Sequence, residues 1–187
     1  MQEKLRSHIE QIVPLTDQEF SFVLSHFTIK EFKKRQFIFQ RGENVKCVYF
    51  VVSGLLKLIY TDNSANQYIV SFAMEDWWES DFYAYFTKTK ATMSLQCLEK
   101  TKVFCLSLED YQKLCSDLQK MESFFLQKSN LGFIGSQQRV LSLLTTNAKE
   151  RYEQLLKQYP SLFQRVSKTQ LASYLGVSRE TLSRLYS

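Results

Sequence analysis

The chain has 187 residues, 44% of them hydrophobic and 15 of them phenylalanine, which suffices for one large domain or two small ones around a sizeable core. It has no run of about 18 uncharged apolar residues, and its first residues, MQEKLRSHIEQIV, lack the apolar stretch of a signal peptide, so a cytoplasmic protein with no membrane span is expected. The net charge of +5 is unevenly placed: residues 1–138 carry 16 basic and 16 acidic side chains, whereas residues 139–187 carry 8 and 3.

Two helices are predicted first, Gln2 to Ile12 and Asp17 to Ser25. The hydrophobic period then changes. Segments 27–33, 36–40, 47–53, 55–60, 67–73, 92–98 and 102–106 are rich in aromatic and branched residues, and polar clusters such as Arg41-Gly42-Glu43-Asn44 and Thr61-Asp62-Asn63-Ser64 separate them. Many short strands with turn signals between them predict an antiparallel sandwich or barrel. Between the strands, Glu75, Asp76, Glu79 and Asp81 crowd one stretch, which reads as a solvated acidic loop, with Trp77 and Trp78 read as packing. Cys47, Cys97, Cys105 and Cys115 form no Cys-x-x-Cys pair, which argues against zinc and a secreted disulfide framework and for reduced core thiols. His8 and His26 have ordinary places on the first two helices, so no metal and no cofactor is expected.

From Leu108 to about Ala148 there is no proline, and apolar residues recur at spacings of three and four through Leu114, Leu118, Met121, Phe124, Phe125, Leu131, Ile134, Leu141 and Leu144. This predicts helix with one break near Met121. Gly132 and Gly135 each cost a helix interior roughly 0.8 to 1 kcal/mol relative to alanine. Close helix approach at a dimer axis is the favoured reading of them, and a kink the other. A further helix, Lys149 to Gln158, ends before Pro160. Phe163 and Val166 are expected to pack beneath the C-terminal residues.

The last 22 residues, VSKTQLASYLGVSRETLSRLYS, read as two short helices around a glycine turn. Ser167 and Gln170 form a capping box for the first, Gly176 ends it, and Ser178 caps the second. At 100° per residue Arg179, Glu180, Ser183 and Arg184 share one face of that second helix, with Leu182 and Leu185 opposite. Leu171, Ala172 and Leu175 supply the facing surface of the first helix, and Val177 plugs the turn. A solvated hairpin that merely closes a domain is the plain alternative. The excess positive charge favours a polyphosphate partner. Arg139, Lys149, Arg151, Lys157, Arg165 and Lys168 are candidates for phosphate contacts, each with a solvated surface charge as its simpler explanation.

The string SRETLSRL at Ser178 to Leu185 resembles the recognition helix of the Crp/Fnr transcription regulators, most of all their catabolite activator branch. RGENVKCVYFVVSGLLKLIY, from Arg41 to Tyr60, resembles the early strands of the cyclic-nucleotide-binding domain, with Gly42 and Gly54 at its turns. The resemblance implies an α+β fold: an N-terminal antiparallel β-barrel of the double-stranded β-helix type (1–120), a long dimerisation helix (121–146) and a helix-turn-helix (147–187). It implies that Arg179, Glu180 and Arg184 read major-groove base edges in a TGTGA-like half-site, with Ser178, Ser183, Lys168 and Thr169 beside them. The chemistry agrees, since arginine pairs bidentately with guanine and glutamate accepts from cytosine N4. The expected partners are double-stranded DNA with a palindromic site and a second copy of the chain.

The chain departs from the resemblance at the ligand. Cyclic-nucleotide binders hold the phosphate with a segment opened by Gly-Glu and closed by Arg-Ser or Arg-Thr. The matching stretch here, Glu75 to Thr92, has no glycine, and Ala91 stands in the place of the arginine. An unpaired phosphate inside a barrel is costly, so cyclic AMP is not the expected effector. The positions of the adenine contacts fall near Phe124 and Phe125, which either line a pocket for an unknown small molecule or fill the core. The iron-sulfur cysteines of the Fnr branch have no counterpart before Cys47.

A different reading is a small-ligand sensor with a degenerate DNA-binding end, motivated by a sequence that stops at Ser187 where the catabolite activator branch continues into wing strands. An enzyme built on the acidic loop is the weakest reading, because no histidine, glycine loop or nucleophile motif accompanies the carboxylates.

Overall fold

A computed structural model of the chain describes residues 1–185, with the side chain of Leu185 outside the described part. Two compact units emerge: Met1–Tyr60 with Ser71–Ser129, and Thr61–Val70 with the chain from Asn130 onward.

The first unit opens with α1 (Gln2–Glu10) and α2 (Asp17–Ser25). Thr16 caps α2 reciprocally: its hydroxyl accepts from the Glu19 amide at 3.2 Å, and the Glu19 carboxylate accepts from the Thr16 amide at 2.7 Å. Eight strands follow: β1 (Phe27–Phe32), β2 (Phe37–Phe39), β3 (Cys47–Ser53), β4 (Leu56–Thr61), β5 (Gln67–Ala73), β6 (Trp78–Glu79), β7 (Ser94–Cys97) and β8 (Thr101–Ser107). They form two antiparallel four-stranded sheets, ordered β1-β8-β3-β6 and β2-β7-β4-β5. β3 and β8 are buried on both faces, which is why their sequences are almost continuously apolar. Tyr49, Val51, Val103 and Cys105 pack with Phe39, Leu56, Leu58 and Leu95. Val48, Phe50, Val52, Phe104 and Leu106 pack with Leu5, Ile9, Phe20 and Val23 of α1 and α2. Gly54 turns the chain out of β3 with φ +103°, and a Cβ there would lie 2.4 Å from Thr101 Oγ1 and 2.7 Å from the Lys100 carbonyl. No other residue fits that turn.

The predicted strands are all present to within two residues at each end. Three elements were not predicted: β6, the short helix Leu162–Arg165, and α3 (Phe82–Thr87), a helix capped by Asp81 and closed by Lys88 in the left-handed region. α4 (Leu108–Asp117) is followed by α5 (Gln119–Thr145), and the break falls at Leu118, whose φ of −140° and ψ of 95° are extended. α5 runs through Gly132 and Gly135 without interruption, and a Cβ at either would meet only open space.

In the second unit α6 (Ala148–Gln158) has an Asn147–Glu150 capping box and is followed by α7 (Leu162–Arg165), α8 (Lys168–Leu175) and α9 (Arg179–Leu185). Ile69, Leu155, Leu162, Val166, Leu171, Ala172, Leu175 and Leu182 are buried in it. The Phe163 ring meets Tyr152 edge-on at 4.9 Å, beside this core. Among the described residues no helix is long and apolar enough to cross a membrane.

Candidate nucleic-acid interface and the acidic segment of the barrel

The C-terminal helix pair is built by local chemistry. Ser167 Oγ accepts from the Gln170 amide at 3.3 Å, and Gln170 Oε1 accepts from the Ser167 amide at 3.0 Å, so the predicted capping box is present. Gly176 ends α8 at φ +70°, a left-handed conformation that suits glycine. Ser178 Oγ then accepts from the Thr181 amide at 3.1 Å and starts α9. Leu182 is buried with Leu171, Ala172 and Leu175, and Val177 is half-buried in the turn. The expected packing role of Leu185 lies outside the described residues.

This leaves Arg179, Glu180, Ser183 and Arg184 exposed on α9, with Ser178, Lys168 and Thr169 exposed around them. The Glu180 carboxyl is held below the ordinary range, first by its own backbone amide and then by the Ser178 hydroxyl. Three of the six candidate phosphate-contacting cations, Arg139, Arg151 and Arg165, are half-buried rather than on the surface. Arg139 Nη2 donates to the Tyr174 carbonyl at 2.8 Å, and Arg151 Nε to the Leu175 carbonyl at 3.0 Å. Both guanidinium groups are half-buried, which corrects their reading as surface cations.

α5 carries an apolar face that no described part of its own chain covers. Leu126, Phe133 and Val140 succeed each other at intervals of seven and are 62%, 63% and 56% exposed; Ile134 and Leu141 repeat the interval at 48% and 59%, and Leu144 reaches 79%. A seven-residue apolar repeat is the pattern of a helix seam.

The acidic segment differs from the expected solvated loop. Asp76 is exposed, and half-buried Glu75 accepts from the Gly54 amide at 2.8 Å, but Glu79 and Asp81 are only 6% and 0% exposed. Asp81 accepts from the amides of Ala84 (3.1 Å), Thr92 (2.8 Å) and Met93 (3.1 Å) and from the Thr92 hydroxyl (2.8 Å). Ala91 is buried and exchanges backbone hydrogen bonds with the Gly42–Glu43 turn, 2.8 Å each way. A buried carboxylate is tolerated where hydrogen-bond donors surround it. Spacing alone does not reveal this, since the partners include backbone amides about ten residues away. Phe124 and Phe125 are likewise buried, ringed by His8, Trp78 and Tyr111 at centroid distances of 4.6 to 6.2 Å. Both positions sit within the packed core of the first unit.

Glu79 accepts a short hydrogen bond from Ser71 Oγ and another from the Ser80 amide, yet burial dominates and pushes its carboxyl up to about 7. A folded pKa raised from 4.5 contributes stability that is complete below 4.5 and is lost as pH rises through about 7. Glu79→Gln is therefore expected to gain on the parent chain between pH 4.5 and 8, by a difference on the order of 3 kcal/mol, in denaturant melts run across that range. A difference independent of pH would refute it. His8 has the opposite sign: burial, then Lys128, lowers it to about 4, and its Nε2 accepts from Trp78 Nε1 at 3.1 Å. Its contribution is present above 6.5 and is lost as pH falls through about 4.

Among the described residues no group of three or more His, Cys, Asp or Glu side chains is placed to hold a metal ion. The four cysteines are free, with Cys97 and Cys105 buried and Cys47 and Cys115 half-buried.

Residues 29–117 match the cyclic nucleotide-binding domain family. The transcriptional activator protein Anr of Pseudomonas protegens is 26% identical over 165 residues, covering 82% of this chain and 67% of that protein. Among solved structures, FixK2 of Bradyrhizobium japonicum superposes with a TM-score of 0.73 at 18% identity, covering 85% of this chain and 82% of that one. The catabolite activator protein of Thermus thermophilus gives 0.56 at 23% identity, covering 91% and 82%. Residues 29–117 thus match the cyclic nucleotide-binding domain family, and with the long α5 and the C-terminal helices in the order seen here the chain as a whole is similar to the Crp/Fnr transcription regulators.

Proposed function

We propose that the protein is a transcription regulator that works as a homodimer reading a palindromic double-stranded DNA site, and that its barrel does not respond to cyclic AMP. The observation that carries the reading is the exposed row Arg179, Glu180, Ser183 and Arg184, on a helix anchored by Leu182 and started by Ser178. Two arginines and a carboxylate at this spacing match guanine and cytosine edges in a TGTGA-like half-site, flanked by Ser178, Lys168 and Thr169. One recognition helix reaches only a few base pairs, and two copies about one DNA turn apart supply the remaining affinity. The apolar repeat on α5 supports this pairing. In this scheme residues 1–120 form the sensor-type barrel, 121–146 the dimer helix and 147–187 the reader, acting in the cytoplasm. The absence of an arginine at Ala91, and an Asp81 carboxylate that occupies backbone amides of the phosphate-segment counterpart, support a barrel without a nucleotide.

Arg179→Ala and Arg184→Ala are each expected to weaken binding to a selected palindrome by about 1 to 3 kcal/mol, the worth of a bidentate base contact. A titration with labelled duplex measures it. Undiminished affinity in both variants would remove the base-reading assignment. Absence of binding by the parent chain, even at about 50 mM salt, would instead favour a sensor with a degenerate DNA-binding end.

A further inference from the structure

The turn between α8 and α9 is held by groups that the reading face does not include. A helix leaves its last carbonyls without intrahelical partners. In α8 the Ala172 carbonyl is satisfied within the turn, by the amides of Gly176 and Val177. The carbonyls of Tyr174 and Leu175 are met by Arg139 from α5 at 2.8 Å and Arg151 from α6 at 3.0 Å. Arg139 also lies over the Tyr174 ring, its guanidinium carbon 3.7 Å from the centroid, and reaches the Ile69 carbonyl at 3.4 Å. Arg151 adds a bond to the Thr146 carbonyl at the end of α5. One residue before Tyr174, Ser173 Oγ accepts from the Ile69 amide at 3.1 Å and donates to the Gln67 carbonyl at 3.0 Å. The end of α8 is thus gripped on successive residues, directly before Gly176 and close to the Ser178 cap of α9.

We propose that Arg139 and Arg151, with Ser173, are positioning residues of the DNA reader: they fix the exit of α8, hence the direction of α9, and do not contact phosphate. This rests on the DNA-reading function proposed above. The planar fork of arginine suits the task, since one guanidinium can stack on a ring and donate to two carbonyls, which a lysine ammonium cannot do in the same geometry. Swinging either arginine out to a phosphate would give up its half-buried bonds to the end of α8, a loss that an exposed cation does not incur. The same grip joins residues 67–69 of the β4–β5 hairpin to the reader's first helix, through Ile69 and Gln67.

The test uses Arg139→Lys, Arg139→Met, Arg151→Met and Ser173→Ala in the full chain. Each is titrated with a selected palindromic duplex and with a random-sequence duplex, between about 50 and 200 mM salt. Positioning residues are expected to lower the palindrome affinity at least tenfold while random-duplex affinity and the salt slope stay unchanged. Arg139→Lys should lose nearly as much as Arg139→Met. A salt slope reduced by about 0.9 per variant, with affinity restored by lysine, would assign a phosphate contact and overturn the proposal. Undiminished palindrome affinity would overturn it too. Amide hydrogen exchange of the DNA-free chain gives a second readout: residues 176–182 should exchange at least tenfold faster in the Arg139 and Arg151 variants, and unchanged exchange contradicts the proposal. If the parent chain binds no duplex, the DNA-reading function fails by itself and the exchange measurement alone decides the positioning role.

Discussion

Asp81→Ala is expected to destabilise the barrel by about 3 to 5 kcal/mol, the range seen when one partner of a buried charged network is removed. The carboxylate is fully buried and accepts four hydrogen bonds, three of them from backbone amides at Ala84, Thr92 and Met93. Truncation leaves those amides facing a hole, and each unsatisfied buried donor costs about 1 to 3 kcal/mol. For a chain of this size the midpoint of thermal unfolding should fall by roughly 6 to 20 °C. The hole also has the right electrostatics for a small anion. Formate or acetate should recover part of the loss in Asp81→Ala and leave the parent chain unmoved, whereas cyclic AMP, too large for one carboxylate's space, should shift neither. A melt unchanged by the substitution would show that the amides find other partners and that the segment is not organised around Asp81.

Leu141→Glu and Val140→Glu on α5 are expected to raise the dimer dissociation constant at least 100-fold. Both positions are more than half exposed in the single chain, 59% and 56%, so a glutamate there changes the stability of the folded monomer by no more than about 0.5 kcal/mol. Across a two-fold helix seam the same change places two carboxylates opposite each other in an apolar stripe with Phe133, Ile134 and Leu144. Sedimentation velocity over a concentration series reads the shift, and the affinity for a two-half-site palindrome should fall toward that of one half-site. A monomer in the parent chain at every concentration would contradict the reading of this face. Gly132 and Gly135 lie in the same stretch with open space around them, so alanine there gains helix propensity in the monomer and is penalised only if a second helix approaches closely.

How much of the fold is legible in the sequence depends on how local the governing physics is. The capping boxes at Thr16 and Ser167, the left-handed Gly176 and the apolar run of β3 depend on neighbours close in the chain, and each can be read there. Which side chains of α9 share an exposed face was legible for the same reason, because 100° per residue fixes it. Long-range polar pairing was not. Asp81 looks like one of four loop carboxylates until Thr92 and Met93 are brought to it by the β7 side of the barrel. Arg139 and Arg151 look like two more surface cations until α8 folds back beside α5 and α6 and presents its terminal carbonyls. β6, α3 and α7 escaped because a two-residue strand and helices of six and four residues are shorter than the periodicity needed to recognise them.

The claim on which the rest depends is that two copies of this chain read sequence through Arg179, Glu180 and Arg184. Selection of bound duplexes from a random pool, using the full chain, tests it most directly, and repeating the selection with added cyclic AMP tests the barrel at the same time. The expected result is enrichment of a palindrome with TGTGA-like half-sites centred about 10 base pairs apart, unchanged by the nucleotide. A bound pool with the same composition as the input, or a motif that forms only with cyclic AMP present, would contradict it.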